Sequence, residues 1–130
     1  MRVFLVRHAE AEPGDPDELR RLTPRGRKQA KELGKRLAKK RPPPDAVLSS
    51  PLVRARETAE AIAKELGIKT EQDDRLGPGC TVDRLRAAVA GRGASVVTVG
   101  HQPDCGELAA ALTGGREPPF PPAGVCEVTL

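Results

Sequence analysis

"RVFLVRHAE", residues 2–10, runs from a short apolar stretch straight into an Arg-His pair. The chain has two histidines, and the second, His101, closes the same pattern in "SVVTVGHQP" (95–103). Short Val- and Leu-rich runs that stop at a polar residue read as strands buried on both faces. "AVLS" (46–49) is a third, stopping at Ser-Pro. Working outward, longer helical patterns fill the gaps. "TPRGRKQAKELGKRLAKK" (23–40) offers Thr23 as N-cap and Pro24 as first helical residue, with Leu22, Ala30, Leu33 and Leu37 at helical spacing. "SPLVRARETAEAIAKEL" (50–66) opens the same way with Ser50 and Pro51 and places Leu52, Ala55, Ala59, Ile62 and Leu66 on one face. "TVDRLRAAVA" (81–90) sets Thr81 before Val82, Leu85 and Val89, and a fourth pattern runs from about residue 104 to Thr113, ending at Gly114-Gly115. A last alternation, "VCEVTL" (125–130), adds a strand at or near the sheet edge.

Alternating strands and helices predict an α/β fold: a three-layer α/β/α sandwich with a mainly parallel central sheet. At 130 residues the chain is expected to be one domain, 1–130, with a single core. Only Phe4 and Phe120 are aromatic, so that core is built from Leu, Val, Ile and Ala. "RPPPD" (41–45) and "EPPFPPAG" (117–124) read as stiff surface loops rather than domain boundaries.

Net charge is +4, and nine of the lysines and arginines fall between Arg25 and Arg41. Their helical register marks a solvated face. No aromatic side chain interleaves with them to stack on bases, which argues against nucleic acid and leaves solubility or an acidic partner as their use. Cys80, Cys105 and Cys126 are odd in number and form no C-x-x-C pair. With no signal peptide, they point to reduced thiols in the cytoplasm, Cys105 acting as a small buried hydrophobe. Two histidines and three scattered cysteines give no metal-ligand spacing, and Val3–Val6 is far too short to span a membrane.

In an open α/β sheet, ligands bind where carboxyl ends of strands meet helix N-termini. Three such junctions deliver Arg7-His8, Ser50-Pro51 with Arg54 in the following first turn, and Gly100-His101. Two arginines, two histidines and helix N-termini converging on one crevice make an anion site, with phosphate as the natural occupant. Each feature alone is commonplace; the joint pattern is the signal.

"RHAE" (7–10), "LTPRGRKQA" (22–30), "SSPLVRARETAE" (49–60) and "VGHQP" (99–103), in that order, resemble the histidine phosphatase superfamily, with its phosphoglycerate mutase-like fold. The likeness runs from Val3 to about Leu112 and is strongest to the short SixA-type phosphohistidine phosphatases. It implies that His8 is the nucleophile, forming a phosphohistidine intermediate while a backbone carbonyl fixes its tautomer. Arg7, Arg54 and His101 would bind the phosphoryl oxygens. It implies no metal or cofactor, inhibition by phosphate-like oxyanions such as vanadate and tungstate, and a phosphohistidine-bearing protein as substrate. A small-molecule phosphomonoesterase and a non-catalytic phospho-ligand binder are the alternatives.

The general acid of many relatives has no counterpart. Gly77 and Pro78 stand where the mutase-like branch has glutamate, and Gln102 where acid phosphatases have aspartate; Asp74, Asp104, Glu10 and Glu12 are nearby candidates. An alkoxide needs a proton to leave. A phosphoramidate nitrogen takes one from solvent, so the gap favours an N–P substrate.

Overall fold

Val3 and Leu5 point to one side of the first strand, Phe4 and Val6 to the other, and both sides are fully covered. That is the signature of a strand in the middle of a sandwich. The computed structural model describes residues 1–130. Its elements run β1 (Arg2–Arg7), α1 (Pro24–Ala38), β2 (Ala46–Ser49), α2 (Val53–Leu66), β3 (Thr70–Gln72), α3 (Val82–Val89), β4 (Ser95–Gly100), α4 (Asp104–Thr113) and β5 (Val125–Thr129). Short 3-10 turns lie at Asp17–Leu19 and Asp74–Leu76.

The sheet order is β3-β2-β4-β1-β5, parallel except for β5, which pairs antiparallel with β1 at the edge. Helices α1 and α2 cover one face through Leu33, Leu37, Ala59 and Ile62, packed on Phe4, Val6, Val97 and Val99. Helices α3 and α4 cover the other through Leu85, Val89 and Leu108, packed on Val3, Leu5, Leu48 and Val96. The α/β/α sandwich expected from the alternation is therefore present, and its core is aliphatic. No helix is long and apolar enough to cross a membrane.

Helix α1 starts as expected: the Thr23 hydroxyl oxygen accepts from Gly26 N at 2.9 Å, with Pro24 in the first position. Gly26 has a second reason to be glycine. A Cβ there would run into the Glu10 carbonyl, so only glycine lets the segment after β1 lie against α1. Helix α3 is capped by Thr81, and α4 stops at Gly114 in the left-handed region at φ +70°, both as the sequence predicts.

One expectation is corrected. Helix α2 begins at Val53, not at Ser50-Pro51, because Leu52 is still extended at φ −69° and ψ 140°. Strand β3 was not anticipated. It is three polar residues, Thr-Glu-Gln, on the sheet edge with two of them exposed, so no apolar pattern marks it.

Candidate active site

Strand register explains why the two histidines meet. Arg7 lies opposite Gly100 on adjacent strands β1 and β4, so His8 and His101, each one residue further, leave the sheet side by side. Their ring centroids are 5.4 Å apart, close to the spacing of about 4.8 Å between neighbouring strands. On the other side of β4, Ser49 pairs with Val99, which brings Ser50 to the same edge. Three adjacent strands at the centre of the sheet thus end in one crevice.

His8 is held by its Nδ1, 2.8 Å from the Ala9 carbonyl oxygen. A carbonyl can only accept, so Nδ1 carries the proton and Nε2 keeps its lone pair. Helix α2 braces this turn: Ala9 N donates to the Thr58 hydroxyl (3.0 Å), which donates to the Arg54 carbonyl (2.8 Å). Burial pulls the pKa of His8 down to about 4. The Ala9 contact opposes that shift, and the charges of Arg54, Arg7 and Arg20 add to it. The ring is neutral at neutral pH, with a free nitrogen.

His101 is held from its other nitrogen. Its Nε2 lies 2.7 Å from the Ser50 hydroxyl oxygen, which also accepts from Leu52 N at 3.3 Å. A hydroxyl has one proton and two lone pairs, so Ser50 can donate to Nε2 while accepting from Leu52 N. In that arrangement a neutral His101 carries its proton on Nδ1, an atom with no partner in the protein. Burial lowers its pKa to about 4 as well, followed by the neighbouring His8 and Arg54.

Arg7 donates one Nη1 bond to the Phe120 carbonyl (2.9 Å), and Arg54 donates to the Asp17 carbonyl (2.9 Å) and carboxylate (3.1 Å). Arg54 is buried while Arg56 is exposed, as the difference of about 200° around the helix requires. Arg20 Nε sits 3.0 Å from Asp17 Oδ1, an ion pair without hydrogen-bond alignment. The buried side-chain polar atoms lacking a partner are Arg7 Nε, Arg20 Nε, Arg54 Nε and His101 Nδ1. The three guanidinium nitrogens are N–H donors, Nδ1 is one when Ser50 donates to Nε2, and all four belong to this crevice. Leaving a buried donor unpaired costs about 1–3 kcal/mol each, a cost that a tetrahedral oxyanion with several acceptor oxygens removes.

The four residues expected from sequence, Arg7, His8, Arg54 and His101, are brought together. Sequence reading missed Asp17, Arg20 and the contact of Ser50 with His101. The first two sit in "DELRRLT" (17–23), whose 3-10 turn has no apolar periodicity to place it, and Ser50 looked like a helix cap.

The candidate acids are dispersed. Asp104 is buried but its Oδ2 accepts from Gly79 N (2.8 Å) and Cys80 N (3.2 Å), pinning the 77–80 loop. Glu10 accepts from the Thr23 hydroxyl at 2.7 Å, at the head of α1. Asp74 and Glu12 are exposed and make no side-chain hydrogen bond. Gln102 accepts from Gly106 N, inside α4. Asp17 is the carboxylate in contact with the site. Desolvation would raise its pKa, but Arg54 and then Arg20 outweigh that and hold it below the usual carboxylate range. Cys105 is buried with its thiol pushed up to about 12 by burial, which suits a core residue rather than a nucleophile.

Comparison with known proteins agrees with this geometry. The protein histidine phosphatase SixA, solved with tungstate, superposes with a TM-score of 0.88 at 30% identity, covering 100% of this chain and 88% of that one. An uncharacterized protein of Picosynechococcus sp. is 36% identical over 128 residues, 89% of this chain and 75% of its own length. The mitochondrial serine/threonine-protein phosphatase Pgam5 of Drosophila erecta is 44% identical over 71 residues, 54% of this chain. That match spans only 25% of the Pgam5 chain. The family model for the histidine phosphatase superfamily (branch 1) matches residues 3–77, more than half of the sequence. By that match, this chain belongs to the histidine phosphatase superfamily.

Proposed function

We propose that the protein is a metal-independent phosphatase that removes phosphate from histidine on a partner protein, by way of a phosphohistidine on His8. The observation that carries this reading is the neutral His8 ring, its Nε2 free, set among three unspent guanidinium N–H groups and the unpartnered His101 Nδ1. Nε2 attacks phosphorus in line, the N–P bond of the substrate breaks, and the departing imidazole nitrogen takes a proton from solvent. Arg7, Arg20, Arg54 and His101 match the charge on the transferring phosphoryl oxygens. Water then attacks the His8 phosphoramidate, releasing inorganic phosphate and restoring the lone pair.

The N–P substrate is favoured over a phosphoester because no carboxylic acid is available to the leaving group. Asp17 is ion-paired with two arginines, and Asp104 and Glu10 are spent on loop and helix contacts. SixA and the Pgam5 serine/threonine phosphatase mark the two substrate classes to be separated. The test is kcat/KM, in the presence of EDTA, on phosphohistidine peptide, phosphoserine peptide and aryl phosphates of graded leaving-group pKa. A steep leaving-group dependence with phosphohistidine fastest is expected. A flat dependence with phosphoserine preferred reverses the assignment, and restoration by added Mg²⁺ or Zn²⁺ removes the metal-free mechanism.

A further inference from the structure

Helix α1 carries six lysines and arginines against one acid, Glu32, and a groove lies on each side of it. The groove shared with α2 is balanced: Arg27, Lys31 and Lys64 meet Glu57, Glu60 and Glu65. The groove on the other side, about 740 Å³, lies between α1 and the proline-rich segment 119–125. There Arg25, Lys28 and Arg36 face only Glu32, and none of the three cations is within ion-pair distance of a carboxylate. One helix thus has a neutralised flank and an unneutralised one. Solubility alone would not segregate them.

The unneutralised groove adjoins the phosphate crevice. Ala123, in its wall, donates its N–H to the His8 carbonyl at 3.2 Å, and Arg7 N donates to Gly124 O at 3.0 Å. From the helix side, the Gln29 side chain accepts from Glu10 N at 3.0 Å. The loop wall is uncharged and stiffened by Pro119, Pro121 and Pro122, so little ordering entropy is lost when it is covered. No aromatic side chain lines it, which removes the stacking platform a nucleic acid strand uses.

We propose that this groove docks an acidic stretch of the phosphorylated partner protein, lying beside the phosphohistidine delivered to His8. The proposal rests on the protein-phosphatase reading above and names what the partner brings besides phosphate. Exposed ion pairs are individually weak and screened by salt, so docking should act on KM and fade with ionic strength, leaving the chemical step alone.

The test uses two histidine-phosphorylated peptides, one with glutamates flanking the phosphohistidine and one with lysines, and phosphoramidate as a substrate too small to reach the groove. Wild type should prefer the acidic peptide by about tenfold in kcat/KM, through KM, in low salt. The triple variant Arg25→Gln/Lys28→Gln/Arg36→Gln should lose that preference and keep its phosphoramidate rate. Arg27→Gln/Lys31→Gln/Lys64→Gln, which removes the same charge from the balanced groove, should keep the preference. Equal rates on both peptides with phosphoramidate still cleaved overturn the docking groove and leave the phosphatase reading standing. Failure to cleave any N–P substrate overturns both. A thymidine oligonucleotide that competes with the acidic peptide in wild type but not in the first variant assigns the groove to nucleic acid and overturns it as well.

Discussion

The ends of β1 and β4 present their histidines at matching register, and the two rings are used in opposite ways. Both carry the proton on Nδ1 when Ser50 donates to His101. His8 gives that proton to the Ala9 carbonyl and leaves a lone pair facing the crevice; His101 gives its lone pair to the Ser50 hydroxyl and leaves an N–H facing it. One ring is thereby a nucleophile and the other an oxyanion donor, although sequence, register and burial are nearly the same. The chemistry of each is decided by the group behind the ring, an acceptor-only carbonyl or a hydroxyl that donates to it.

The largest expected effect tests the β1 side. His8→Ala should abolish turnover and, with it, the acid-labile phosphoenzyme that rapid quench with labelled phosphohistidine peptide traps in wild type. His101→Ala should slow the reaction yet still form the intermediate, because a donor is lost but the nucleophile stays. Labelled phosphate surviving on His8→Ala, or missing from His101→Ala, would exchange the two roles.

Arginines on α2 give the next contrast. Arg54→Ala removes a buried guanidinium from the crevice, on the order of 2.7–4 kcal/mol of transition-state stabilisation, or roughly a hundredfold to a thousandfold in rate. Arg56→Ala, two residues on and exposed, should be nearly silent. Equal losses in kcat/KM would mean that the orientation of α2 is misassigned.

Much of this contrast was legible in the sequence, and the limit has a physical cause. Strand runs buried on both faces, Thr23 and Thr81 caps and the glycine stop at Gly114 are local signals, and they located the sandwich and the crevice at the strand ends. Arg7, His8, Arg54 and His101 follow from chain position alone, one or a few residues past each strand. The partners that hold them in place do not. Asp17 and Arg20 approach Arg54 from a loop that follows no periodic pattern, 37 residues away in the first case. Ser50 carries every mark of a helix cap, and only the register of β4 shows that a histidine competes for its hydroxyl. Strand β3 is exposed and polar, so nothing in its composition separates it from a turn.

Ser50→Ala tests the β4 side more gently. The loss of one neutral hydrogen bond, about 1 kcal/mol, should lower kcat several-fold without preventing phosphoenzyme formation. A merely structural role would do no more than that. If Ser50 fixes the tautomer, ¹⁵N spectra of histidine-labelled protein should show His101 shifting from one tautomer to a mixture, while His8 stays as it is. Both rings changing together, or neither, would detach Ser50 from the comparison.

The smallest effect lies in acid, and there the two rings should behave alike. Both pKa values are lowered to about 4, first by burial. An unfolded histidine titrates near 6.5, so between about pH 6.5 and 4 the unfolded chain binds more protons than the native one. Stability from these two groups is complete above 6.5, declines as pH falls toward 4, and levels off below it. Because the chain has only these two histidines, proton NMR resolves both directly. Neither ring signal should move appreciably between pH 8 and 5.5, and the acid limb of kcat/KM, corrected for substrate ionisation, should fall near 4 rather than 6.5. If His101 alone titrated near 6.5, it would have to be open to water and charged at mildly acidic pH. It would then bind phosphate as a cation, and the opposition between a lone pair on β1 and a neutral N–H on β4 would no longer describe the site.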